Sequence, residues 1–182
     1  MDEREIQTEI QVGPPIESKV DYSASREALQ SCFEQWLAAV ETGEKKRTDV
    51  EMVLLGYALD FIDFAKQAAE VTLTFEEDSV PALDQVLGQL HTLSEKGKIP
   101  QEYLELLVKK ATGFFGVLIL KNLGGNWAHS DVGMVVRLSG MNVFVYNHIA
   151  RCVVSGEEDV CSLYQAFRMM VKRKQEEAKE EI

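Results

Sequence analysis

The stretch 111–127, ATGFFGVLILKNLGGNW, constrains this chain more than any other. Gly113 and Gly116 stand inside a strongly apolar pattern of helical period, and a second pair, Gly124 and Gly125, closes it just before Trp127. A glycine inside a helix lowers its stability by about 0.5–1 kcal/mol relative to alanine. Two of them imply either a neighbour that approaches the bare backbone closely enough to offset the loss or a helix less regular than its pattern. On a helical wheel Tyr103, Leu104, Leu107, Ala111, Phe114, Phe115 and Leu118 share the wide apolar side. Gly113 and Gly116 fall opposite, with Glu102, Glu105, Lys109 and Leu120, and the early helices or a sheet are the segments expected against them. A G-x-x-G pair that cradles phosphate sits in a loop at a helix N-terminus. Here it lies mid-helix, which points to packing. Residues 122–127, NLGGNW, then read as helix exit, a turn needing positive φ, and entry into a strand headed by a tryptophan at the core edge.

The rest of the chain organises around that segment. Residues 1–22 contain Pro14 and Pro15, offer no wide apolar face, and are expected to form an extended or disordered arm; 23–182 form a single domain. Leu29, Cys32, Phe33, Trp36, Leu37 and Val40 recur at helical spacing between Ser25, an N-cap, and Gly43, a stop. A second helix from Thr48 or Asp49 to about Glu70 leaves only Gly56, Asp60, Asp63, Gln67 and Glu70 polar. Its two aspartates read as a solvated stripe. VTLTF, 71–75, alternates like a short strand. Ser79 and Pro81 open another helix that Gly97 ends, and Pro100 opens the glycine-bearing one. After Trp127, short apolar runs cut by turns predict two or three antiparallel strands, with a turn at Ser139 and Gly140. Asn147 is expected to cap a short helix through Val154, and Asp159 the last one. The sum is an α+β fold, mostly helical, with five or six helices and a small antiparallel sheet of three or four short strands.

The helix with interior glycines ending in N-L-G-G-x-W, together with the S-x-x-x-L-D segment from Ser79 to Asp84, resembles a family of bacterial proteins to which no chemistry is attached. In that family a short strand pair, a small helix and a final helix follow, and the likeness spans about 71–167. It implies a shared fold and transfers no function. Such families often carry an acid directly after the second helix glycine. Val117 stands there in this chain, so any role for that acid is absent.

Charge and composition then narrow the function. With 19 basic and 30 acidic residues the net charge is −11, which repels phosphate backbones and anionic membranes, so neither nucleic acid nor a membrane is expected as partner. Lys172, Arg173 and Lys174 run straight into Glu176 and Glu177, which cancels their field. Three cysteines without metal-finger spacing fit a reducing cytoplasm. The opening MDEREIQTEI lacks the apolar core of a secretory signal, and 111–123 is too short an apolar stretch to span a bilayer.

The residues with chemistry to offer are few. His148 and Cys152 would lie one helical turn apart, and His129 and Asp131 follow the tryptophan. With Cys161 they make a candidate zinc site or thiol nucleophile with its base, although the spacing matches no established pattern. No P-loop, dinucleotide fingerprint, HExxH, GxSxG or EF-hand loop occurs. No cofactor or metal is expected. These observations favour a non-catalytic bacterial protein, immunity-like or regulatory in kind, that binds a basic protein partner. The competing reading is a small enzyme or ligand binder with a cleft near His129, Asp131, His148 and Cys152. A third is a homo-oligomer joined through the glycine face or the arm.

Overall fold

A computed structural model describes residues 10–181. In chain order the elements are β1 (Val12–Pro15), α1 (Arg26–Glu41), α2 (Val50–Ala69), α3 (Val80–Glu95), α4 (Gln101–Leu123), β2 (Asn126–Ser130), β3 (Gly133–Leu138), β4 (Met141–Val143), α5 (Val145–Ala150) and α6 (Val160–Glu180). Six helices and one four-stranded antiparallel sheet make the mostly helical α+β fold that the sequence predicts. Side-chain caps set three of the helix starts. Ser25 Oγ accepts from Ala28 N at 3.2 Å, Asp49 Oδ1 from Met52 N at 3.3 Å and Asp159 Oδ1 from Ser162 N at 2.7 Å. Among the described residues no helix is long and apolar enough to cross a membrane.

The glycine-bearing α4 is the centre of the molecule. Every residue from 111 to 120 is buried, so the polar side of the wheel exists only in the first half, where Glu102, Glu105 and Lys109 are exposed. Both glycines of the seam are covered from within the chain. A Cβ on Gly113 would stand 2.5 Å from the carbonyl oxygen of Leu54 and 3.1 Å from the amide of Ala58, so the missing side chain lets α2 and α4 meet backbone to backbone. The space of a Cβ on Gly116 is taken by the tip of the Trp127 indole. Trp127 is 1% exposed, deeper than the core-edge position read from the sequence, because the glycine opens a slot for it. Gly113 and Gly116 are both buried within the chain.

The sheet runs in the order β1-β2-β3-β4. Ser139 and Gly140, with φ of 50° and 81°, form the turn between β3 and β4 at the predicted position, and two positive φ values match the twist of the flanking strands. The outermost strand comes from a place where no strand is expected. Val12 pairs with Ser130 and Pro15 with Ala128 across an irregular register, and Ile16 N donates to Trp127 O at 2.7 Å. Prolines lack the N–H that an inner strand would need, and an edge strand tolerates the loss.

Two expectations need correction. Residues 71–75 are not a strand: Val71, Leu73 and Phe75 are buried in alternation, but the backbone bonds go elsewhere. Thr74 N donates to Ser79 Oγ at 2.8 Å, and Asn122 Nδ2 to Phe75 O at 2.8 Å. The period-2 pattern reports an extended segment laid on the core, which is a weaker statement than pairing. The short helix begins at Val145, ahead of the proposed Asn147 cap, and after Ala150 widens into a π-helical turn, Arg151–Ser155. His91 on α3 holds that turn, its Nδ1 lying 2.9 Å from Val153 O.

Candidate functional site

The π-helical turn governs the first group of candidates. His148 and Cys152 do share one segment, but their side chains are engaged differently. His148 Nδ1 lies 2.7 Å from Glu158 Oε2, and Arg151 donates to the other carboxylate oxygen at 2.9 Å. Partial burial works against the charge on Glu158, yet the bonds from His148 and Arg151 outweigh it and hold the carboxyl below its usual range. The imidazole also stands edge-on to Phe167, centroids 6.0 Å apart. Cys152 is buried, and burial, reinforced by Glu158, Asp84 and Asp159, pushes its thiol up to about 12. A thiol so protonated is a poor nucleophile at neutral pH.

Cys161 enters a different cluster. One ligand atom each from Asp84, Asp159 and Cys161 falls within a 4.8 Å group, a set the sequence spacing does not reveal because α3 supplies one member. The carboxylates already serve the start of α6: Asp84 Oδ1 accepts from Val160 N at 2.9 Å and Asp159 Oδ1 caps through Ser162 N. Burial and the two carboxylates raise the Cys161 thiol, so they prevail over the helix N-terminus that would lower it. Three donors, two of them committed to helix amides, are one short of a closed tetrahedral zinc set.

His129 stands exposed on β2 opposite Met134, and Asp131 Oδ2 accepts from Gln11 N at 3.0 Å in the β2–β3 turn. No hydrogen bond or ion pair among the described residues joins His129 or Asp131 to His148 or Cys152. The aspartates of α2 each meet their own cation, Asp63 with Arg26 at 3.3 Å and Asp60 with Lys110 at 3.4 Å.

A cavity opens beside α4. It has a volume of about 300 Å³ and is walled by Leu54 and Tyr57 of α2, Lys109 and Thr112 of α4, Val132 to Met134 of the β2–β3 hairpin, and Tyr146 of α5. Val132 is 60% exposed and Tyr146 40% exposed at its mouth. The close approach at Gly113 brings α2 and α4 together beneath it. Lys109 makes no ion pair among the described residues. The sequence holds one signal for this place, an apolar valine in the turn S-D-V-G, where a polar residue is the rule. Lys45, Lys46 and Arg47 are exposed in the α1–α2 loop and make no ion pair among the described residues, whereas Lys172, Arg173 and Lys174 reach Glu176 and Glu177 as expected.

Fold and site together define the class, a mostly helical α+β protein with an apolar cavity beside α4. Compared with known proteins, the chain matches no family model, no curated protein and no solved structure.

Proposed function

We propose that this chain is a non-catalytic binding module that receives a basic protein, in an immunity-like or regulatory role. The observation that carries the reading is the apolar cavity beside α4, with Val132 and Tyr146 presented to solvent at its mouth. A net charge of −11 steers a basic partner toward the chain as a whole and disfavours an acidic one. The thiols support a non-catalytic role, since Cys152 is held protonated and His148 is tied to Glu158. A photo-crosslinking residue at position 132, used in cells, should yield an adduct with a basic protein whose affinity falls as salt rises. Adducts only between copies of the chain, or none at all, would overturn the proposal.

Lys109 favours a second reading, in which the cavity holds a small apolar acid with its carboxylate on the ammonium. About 300 Å³ is at the lower end of small-molecule sites. Lys109→Glu separates the two, since it should strengthen capture of a basic protein and abolish binding of an anionic probe such as anilinonaphthalene sulfonate.

A further inference from the structure

Beyond β1 the chain passes over the start of α2, and there it meets one buried acid. Ser18 Oγ donates to Glu51 Oε1 at 3.0 Å, and Lys19 N donates to the same oxygen at 3.1 Å. Glu51 is 5% exposed, and Val20, next along, is 7% exposed. The other carboxylate oxygen, Oε2, is buried with no hydrogen-bond partner. So is the hydroxyl of Tyr22, which faces Ser18, Glu51 and Trp127, and so is the Trp127 indole N–H. Three buried polar atoms without partners thus gather where residues 10–22 touch the body. We infer that residues 10–22 form a clasp whose closure takes up a proton at Glu51, so that the clasp tightens in acid and loosens as the pH rises.

The physical reason lies in the second oxygen. An ionised carboxylate buried with one oxygen undonated bears a large desolvation cost. Protonation removes the charge and makes the carboxyl a donor toward the Tyr22 hydroxyl. The groups that face Glu51 give no compensating cation. The N-cap of α2 contributes Asp49, a second negative charge, and the clasp contributes Ser18, the Lys19 amide and Tyr22, whose hydroxyl in turn meets the uncharged Trp127 of β2. Burial is the largest influence, the Ser18 and Lys19 bonds offset part of it, Asp49 adds to it, the nearby Tyr22 hydroxyl takes a smaller part back, and the carboxyl still ends above its usual range. The closed state therefore binds the proton more tightly than the open one. Closure is strongest below about 4.5, the ordinary value, and weakens as the pH climbs through the raised one. Asp21, also in the clasp, is held low by Ser23, but those bonds are local and persist when the clasp opens. Opening would strip β1 from β2 and leave the β2 edge free to accept another strand.

Hydrogen-exchange protection of the Ile16, Lys19 and Val20 amides in the full chain, corrected for intrinsic rates and followed from pH 5 to 8.5, tests the clasp. The opening constant should rise with pH by no more than about tenfold per unit, the limit for one proton, and Glu51→Gln should be flat and as protected as the wild type in acid. Equal slopes in the two proteins, or protection that increases with pH, would overturn the inference. Carboxyl carbon NMR of Glu51 in the wild type gives a check without substitution: titration at or below the ordinary glutamate value would overturn it as well.

Discussion

The seam along α4 and the clasp over Glu51 are both buried contacts made by a handful of residues, and opposite physics holds them. At the seam, Gly113 and Gly116 remove atoms so that a backbone and an indole can occupy the space. Nothing there titrates, and its stability rests on volume. At the clasp the shapes fit but one carboxylate oxygen is left without a donor, so its strength follows the proton. Glu158 is the counterpart of Glu51, an acid whose two oxygens both have partners and whose pH dependence runs the other way. Packing sites fail by overfilling, and polar sites fail by an unpaired atom.

The sharpest way to break this contrast is at the seam. Gly113→Leu should be the most damaging substitution, at least about 3 kcal/mol and equally at every pH, because overpacking against a backbone carbonyl leaves nothing that can swing aside. Urea unfolding at pH 5 and pH 8 measures it, and a wild-type midpoint would show that α2 and α4 do not touch there. Gly116→Leu comes next, at about 1–3 kcal/mol. Its partner is a side chain, so Trp127→Leu should recover part of the loss, with a coupling of about 0.5–3 kcal/mol in a double-mutant cycle.

The polar sites give smaller effects that change sign. Glu158→Gln should lose about 1–2 kcal/mol at pH 7 by removing charge-assisted bonds to His148 and Arg151. The folded value of Glu158 lies below the ordinary 4.5, so its stabilisation is present above that pH and is lost as the pH falls through the lowered value. The two unfolding curves should converge in acid. Glu51→Gln should be at least as stable as the wild type at pH 8, since it removes a buried charge. Thiol titration with a disulfide reagent in native buffer at pH 8 should leave Cys152 unmodified and release it on denaturation, whereas rapid reaction in the folded protein would return Cys152 to the list of nucleophiles.

How far these features were legible varies with the distance over which each is decided. Ser25, Asp49 and Asp159 announce helix starts because a cap acts on amides two or three residues away. Ser139-Gly140 announces its turn because positive φ is a local demand. The alternation of 71–75 was equally visible and misled, since alternation fixes which residues face inward and says nothing of whether a strand lies alongside. The cavity was not visible, because Leu54, Lys109, Val132 and Tyr146 come from four elements and only Val132 looks out of place in its own neighbourhood. Glu51 reads in the sequence as an ordinary first-turn acid of a helix, and its burial is imposed by residues more than thirty positions away.

The sequence alone determined that this chain is a mostly helical α+β protein, where most helices begin and end, and that the glycines of α4 mark either a close neighbour or an irregular helix. Periodicity, capping and backbone freedom are properties of neighbouring residues, and a linear text contains them. Tertiary structure decided what fills each glycine, with α2 at Gly113 and Trp127 at Gly116. It also decided that residues 10–22 close over a buried carboxylate. Those outcomes depend on which surfaces remain to be covered once the helices exist, a question of volume and unpaired polar atoms that only the assembled fold poses.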